Sequence, residues 1–166
     1  MGRDKARLPF RGVELAEVVA SQVRQAAGSV TFVGHAELDG IPDRYPSEGP
    51  LGGILTALHH TSADWNLIVA CDMPELSAGF LERLLAETAR TSAAIVLPYG
   101  VDGRPEPLCA VYHRRALADL EAAFARGIRK VTAAMEGIPV ARFDVTEVAI
   151  FQNVNTPEDW SGYAAE

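Results

Sequence analysis

Hydrophobic positions along the chain follow two alternating patterns. Short apolar runs at residues 30–33, 67–71, 94–97, 108–112, 140–143 and 150–154 are separated by longer segments in which apolar residues return with a helical period. Short apolar runs bounded by turn residues read as strands. Their alternation with helices predicts an α/β domain with a mainly parallel sheet. Leu67-Ile68-Val69-Ala70-Cys71 is apolar throughout, as a strand covered on both faces should be. Leu15, Val19 and Val23 share one helical face, as do Leu81, Leu84 and Leu85, and again Leu117, Leu120 and Phe124. Gly28 and Gly127 stand where helices need a left-handed closing residue. Thr156-Pro157-Glu158-Asp159 reads as a helix start: a cap, a proline in the first turn, then acids facing the helix dipole. Residues 37–50 hold three prolines and two glycines and are expected to form a loop.

Composition narrows the function classes. The 166 residues fit a single domain spanning 1–166, 48% hydrophobic and 22% charged, within the ordinary globular range. Acids outnumber bases 22 to 15, for a net charge of -7. That sign argues against nucleic acid or an anionic membrane as a partner. An anionic small substrate then needs a cation beside it. Cys71 and Cys109 lie inside apolar runs and are expected as buried thiols in a reducing compartment, not as a disulfide. No apolar stretch approaches the roughly 18 residues of a membrane span and no signal peptide opens the chain, so the expected location is cytoplasmic.

Asp72 follows the apolar run 67–71 and precedes Met73-Pro74, which places it at the carboxyl edge of the expected sheet, where open α/β sheets bind ligands. A carboxylate there suits magnesium, which takes one or two carboxylates plus phosphate oxygens. The plainer alternative is an aspartate that shapes a turn or caps a helix. Gly49-Pro50-Leu51-Gly52-Gly53 opens a helical pattern, either as a close approach to a ligand or as a tight turn. It matches neither the P-loop nor the dinucleotide fingerprint. Lys5 is a candidate phosphate-binding point charge or a solvated side chain. Asn153 and Asn155 flank Val154 and project to one side of a strand, toward a polar ring or into a turn. His59 and His60 are adjacent on a helix and diverge by about 100°, which is poor for chelation. Arg126, Arg129 and Lys130 form a small basic group whose default is a solvated surface and whose alternative is contact with a substrate phosphate. No zinc spacing and no serine or cysteine nucleophile signature occurs.

Taken in chain order, Met1-Gly2-Arg3-Asp4-Lys5-Ala6, Gly49-Pro50-Leu51-Gly52-Gly53-Ile54, Ala70-Cys71-Asp72-Met73-Pro74, Pro107-Leu108-Cys109-Ala110-Val111-Tyr112 and Asn153-Val154-Asn155-Thr156-Pro157 resemble the molybdenum cofactor guanylyltransferase family of MobA type. The resemblance covers nearly the whole chain, and the asparagine pair with the Pro-Leu-Cys-Ala-Val-Tyr strand points to the molybdopterin branch. It implies a three-layer Rossmann-like nucleotidyltransferase fold with a mainly parallel mixed sheet. It also implies transfer of GMP from GTP to molybdopterin with release of pyrophosphate. By the same resemblance, Lys5 contacts the nucleotide phosphates, and Asp72 binds magnesium or manganese and touches the nucleotide. Asp43, Gly49, Pro50, Leu51 and Gly52 belong to the nucleotide side, with Asp43 the looser match in spacing, and Asn153 and Asn155 to the molybdopterin side. The implied partners are GTP, molybdopterin and molybdoenzyme maturation proteins, for a monomer or weak oligomer.

Two departures accompany the resemblance. The family often carries a nucleoside-contacting asparagine after its second strand, where this chain has Gly34-His35, so a related nucleotidyltransferase using CTP or another phosphorylated acceptor stays open. The family also places a strand and a Leu-Ala-Gly-Gly-x-Ser-x-Arg loop before its Met-Gly-x-Asp-Lys motif. The resemblance therefore predicts about 10–20 further residues upstream of Met1 in a longer natural chain. Without that loop, an inactive module of the same fold is the alternative to an enzyme.

Overall fold

The apolar runs near the middle of the chain meet in one sheet. The computed structural model describes residues 9–10, 13–147 and 150–151. Among these, the elements in order are β1 (Pro9–Phe10), β2 (Val13–Glu14), α1 (Leu15–Ala27), α2 (Pro50–His60), β3 (Trp65–Val69), α3 (Ala78–Ala86), β4 (Ile95–Tyr99), β5 (Cys109–His113), α4 (Leu117–Ala125), α5 (Val131–Ala134) and β6 (Val140–Asp144). The larger sheet has the order β3-β5-β4-β6, and β1 pairs with β2 apart from it. β5 is antiparallel to both neighbours while β4 and β6 are parallel, so β3, β4 and β6 share one direction and β5 alone opposes it. The expected mixed sheet is thus present, and among the described residues two of its three ladders are antiparallel and one is parallel.

Strand alternation builds two cores. Ile95, Leu97, Ala110 and Tyr112 face Leu51, Ile54, Leu55 and Leu58 of α2, with α4 and α5 completing that layer through Leu120, Ala123, Val131 and Ala134. Val96, Cys109 and Val111 face the opposite way, onto Val19 and Val23 of α1 and Phe80, Leu81 and Leu84 of α3. Each large side chain so enclosed contributes about 1.5–3 kcal/mol through apolar burial. The three layers follow from the sequence period: helical faces at α1 and α3, and strands apolar on both sides at β4 and β5.

Gly28 and Gly127 close helices, as the sequence marks them. Gly28 closes α1 at φ 80°, and its N–H returns to Arg24 O. Gly127 closes α4 at φ 86°, with its N–H on Phe124 O at 2.9 Å. Ser77 caps α3 by accepting the Phe80 N–H at 3.3 Å. His113 ends β5, and its Nδ1 accepts the Arg115 N–H at 3.0 Å in the turn that leads to α4.

The run 30–33 differs from the expectation. It forms no strand, and its single ladder contact is the bridge between Val33 and Ile41. A strand is stabilised by a neighbour along its length, and none of the described strands runs beside this segment. Its backbone instead closes a turn, with Ile41 N–H on Phe32 O at 2.9 Å and Gly34 N–H on Ile41 O at 2.8 Å. Residues 150–151 lie in a turn, and the rest of the run to 154 falls outside the described residues. So does the Thr156 cap.

Cys109 is a buried thiol, as expected, whereas Cys71 is half-buried because it lies in the turn beyond the end of β3. Burial pushes the Cys109 thiol and the Tyr112 phenol far above their ordinary ranges, which keeps both neutral. The Tyr112 hydroxyl donates to Pro107 O at 2.7 Å. Tyr112→Phe leaves that carbonyl without its donor and should cost about 1–3 kcal/mol in denaturant unfolding, with no change of fold.

Candidate active site

The shared direction of β3, β4 and β6 gathers their carboxyl ends at one edge. Beyond Val69 the β3–β5 ladder continues, since Ala70 N–H donates to Leu108 O at 2.7 Å. The chain then turns through Cys71 and Asp72 and is anchored by the buried Met73 and Leu76 before α3 begins. Asp72 does not cap that helix, because Ser77 does. Its Oδ1 is buried and accepts no hydrogen bond among the described residues. A buried carboxylate oxygen without a donor is unfavourable, and such an atom calls for a cation or a donating ligand. No group of three or more His, Cys, Asp or Glu side chains forms a metal cluster among the described residues. That donor set fits magnesium better than zinc, because magnesium is commonly held by one or two carboxylates with substrate oxygens and water filling the rest.

A second set of residues shapes the start of α2. Asp43 Oδ1 accepts the Tyr45 N–H at 2.9 Å and lies 2.8 Å from the Thr56 hydroxyl. The same hydroxyl lies 3.0 Å from Gly52 O and accepts the Arg44 N–H at 3.0 Å. Thr56 is only 1% exposed, so this polar knot is sealed against α2. Asp43 thereby fixes the path of its own loop, and that oxygen is already engaged. Gly49 precedes α2 at φ 78°, Pro50 occupies the first turn and Leu51 is fully buried in the core. Gly52 is required by packing: a Cβ there would lie 2.9 Å from Tyr45 Cβ and 3.0 Å from Tyr45 O. At Gly53 a Cβ would meet nothing within 4 Å.

Several contributors carry no local sequence signal. Thr56 is one, tied to a residue 13 positions earlier. Glu106 is another. Its N–H donates to Pro98 O at 2.9 Å, which sets it beside the end of β4, and burial together with the neighbouring Asp102 carboxylate raises its pKa. The basic group resolves unevenly: Arg126 and Lys130 are exposed, while Arg129 is bound to Glu48 with Nε–Oε2 2.5 Å. His59 and His60 do not form a chelating pair, and His59 Nε2 meets Glu121 Oε1 at 2.6 Å, joining α2 to α4. Lys5, Asn153 and Asn155 lie outside the described residues. Among the described residues no helix is long and apolar enough to cross a membrane.

Comparison with known proteins gives this edge its context. Residues 1–138 match the MobA-like NTP transferase domain. This chain belongs to the MobA-like NTP transferase family. A molybdenum cofactor guanylyltransferase of Xanthomonas euvesicatoria pv. vesicatoria is 36% identical over 169 residues, covering 97% of this chain and 86% of that protein. Among solved structures, molybdopterin-guanine dinucleotide biosynthesis protein A from Archaeoglobus fulgidus superposes with a TM-score of 0.82 at 28% identity, over 98% of this chain and 89% of that one. A Mycobacterium tuberculosis protein in complex with manganese shares the fold, with a TM-score of 0.68 at 18% identity over 99% of this chain and 94% of that one. This MobA-like chain is therefore a nucleotidyltransferase, and its mixed α/β sheet is the one its relatives use.

The two glycines of α2 separate packing from propensity. Gly52→Ala should destabilise the protein by about 1–3 kcal/mol, because the Tyr45 backbone must shift. Gly53→Ala should stabilise it by up to about 1 kcal/mol through helix propensity alone. Paired urea titrations check both signs.

Proposed function

We propose that this MobA-like protein transfers GMP from GTP to molybdopterin and releases pyrophosphate, with Asp72 holding a magnesium or manganese ion. The observation that carries the reading is the buried Asp72 Oδ1 at the carboxyl edge of the sheet, which has no donor among the described residues. The relatives named as guanylyltransferases support GTP and molybdopterin as the substrates, and the manganese complex of a protein with the same fold supports a divalent cation. When bound, that cation offsets the repulsion between two anionic substrates and stabilises charge on the transferring phosphate.

The chain's own residues supply position and charge. In the proposed roles, Lys5 contacts the nucleotide phosphates and stabilises charge building on them. The segment Gly49-Pro50-Leu51-Gly52 carries the nucleotide beside the first turn of α2, with Asp43 holding the approach to it. Asn153 and Asn155 present amides to the pterin ring. No covalent bond to the protein is needed, since an in-line attack by the molybdopterin phosphate on the α-phosphorus of GTP requires alignment of two bound substrates. A protein of net charge -7 depends on Lys5 and the cation to accept a triphosphate.

Asp72→Asn keeps the side-chain shape and removes the charge. It should lower turnover at saturating GTP by at least about 100-fold. Stability should be unchanged or raised, because the amide is easier to bury than the carboxylate. Pyrophosphate release with molybdopterin as acceptor measures the first effect and thermal unfolding the second; turnover like that of the unsubstituted protein removes Asp72 from the metal role. Competition between GTP and CTP in the same assay decides the nucleotide. Calorimetric titration with GTP and magnesium distinguishes an enzyme from a module that binds no nucleotide.

A further inference from the structure

The loop that precedes α2 contains a strained turn. Glu48 N–H closes on Tyr45 O at 3.2 Å, and Ser47 within the turn sits at φ 65°. A non-glycine residue in this left-handed region carries strain that persists only where the surroundings hold it. Two contacts hold this one, and both lead to the end of α4. The Tyr45 ring lies 4.8 Å from the Phe124 ring at 58°. Arg129 stacks its guanidinium 3.8 Å from the same Phe124 ring and binds Glu48 Oε2 through Nε at 2.5 Å. Arg129 Nη1 is occupied as well, donating to Phe124 O at 2.8 Å and Ile128 O at 3.2 Å.

We propose that Arg129 is a positioning residue: with Glu48 and Phe124 it clamps loop 43–49 onto the α4–α5 corner, and it does not itself touch a substrate phosphate. The guanidinium is committed to an aromatic face, a carboxylate and two carbonyls, a set that needs its planar fork and that an ammonium group does not reproduce. An exposed ion pair alone contributes little, but here the cation is also stacked and bonded to the backbone, so the loop path and the α4 end are fixed together. Its consequence for catalysis rests on the reading of Gly49–Gly52 as part of the nucleotide site: a loop displaced at Tyr45 and Glu48 misplaces the segment that follows it.

The test compares Arg129→Lys, Arg129→Ala, Glu48→Gln and the double variant Arg129→Lys/Glu48→Gln in the full-length protein. Amide hydrogen exchange without nucleotide should speed up at Glu48 in each variant while the β4 and β5 amides stay protected. Arg129→Lys and Glu48→Gln should each raise the KM for GTP about fivefold with kcat nearly kept, and the double variant should be no worse than either single one. Direct phosphate contact by Arg129 makes the opposite prediction: Glu48→Gln would leave KM unchanged or lower it, Arg129→Lys would be the milder of the two arginine variants, and only Arg129→Ala would be severe. That pattern, additive effects, or unchanged Glu48 exchange overturns the clamp. The exchange measurement needs no nucleotide, so it judges the clamp even if the unsubstituted protein fails to bind GTP, a result that would count against the GTP reading alone.

Discussion

Strand β5 runs against both of its neighbours, and that reversal organises the carboxyl edge of the sheet. Because β5 enters from the edge where β3 and β4 end, the segment before it is laced to both. Leu108 O receives the Ala70 N–H at 2.7 Å, and Glu106 N–H reaches Pro98 O at 2.9 Å. The chain leaving β3 is therefore held at a fixed point when it turns through Asp72. Met73 and Leu76 pin the far side of the turn in the core between sheet and α3. The ladder and the two buried anchors fix the backbone on either side of Asp72, whose buried Oδ1 accepts no hydrogen bond among the described residues.

The other half of the candidate site obeys a different rule. Around α2 the polar groups are satisfied within the protein: Asp43, Thr56, Arg44 and Gly52 share one hydroxyl-centred knot, and Glu48 is neutralised by Arg129. Asp72 is left open while Asp43 is closed. Two aspartates that look alike as motif residues thus have different physical states, one shaping backbone and one retaining capacity for a ligand.

Much of the fold was legible in the sequence because burial imposes a period. The Leu15, Val19 and Val23 stripe and the unbroken apolar runs of β4 and β5 could occupy few other places. The run 30–33 had a strand's composition but depends on a neighbour that composition does not reveal. At the candidate site, the position of Asp72 followed from its place after an apolar run, whereas the lack of a donor to its Oδ1 among the described residues depends on neighbours that the local sequence does not reveal. Gly52 was legible as a glycine needing close approach, but what approaches among the described residues is Tyr45. Thr56 gave no sign of a site role, and Arg129, visible as one of a basic group, gave no sign of its partner, because the two partners lie 13 and 81 positions away. Long-range pairings of single polar side chains leave no period to read.

The inequality between the two thiols has a practical side. Cys109 is sealed within β5 and kept protonated, so it offers neither the access nor the thiolate that electrophiles require. Cys71 is half-buried and adjoins Asp72 in the chain. A maleimide dye reaches Cys109 only when β5 leaves the sheet, so its attachment there would count unfolding events.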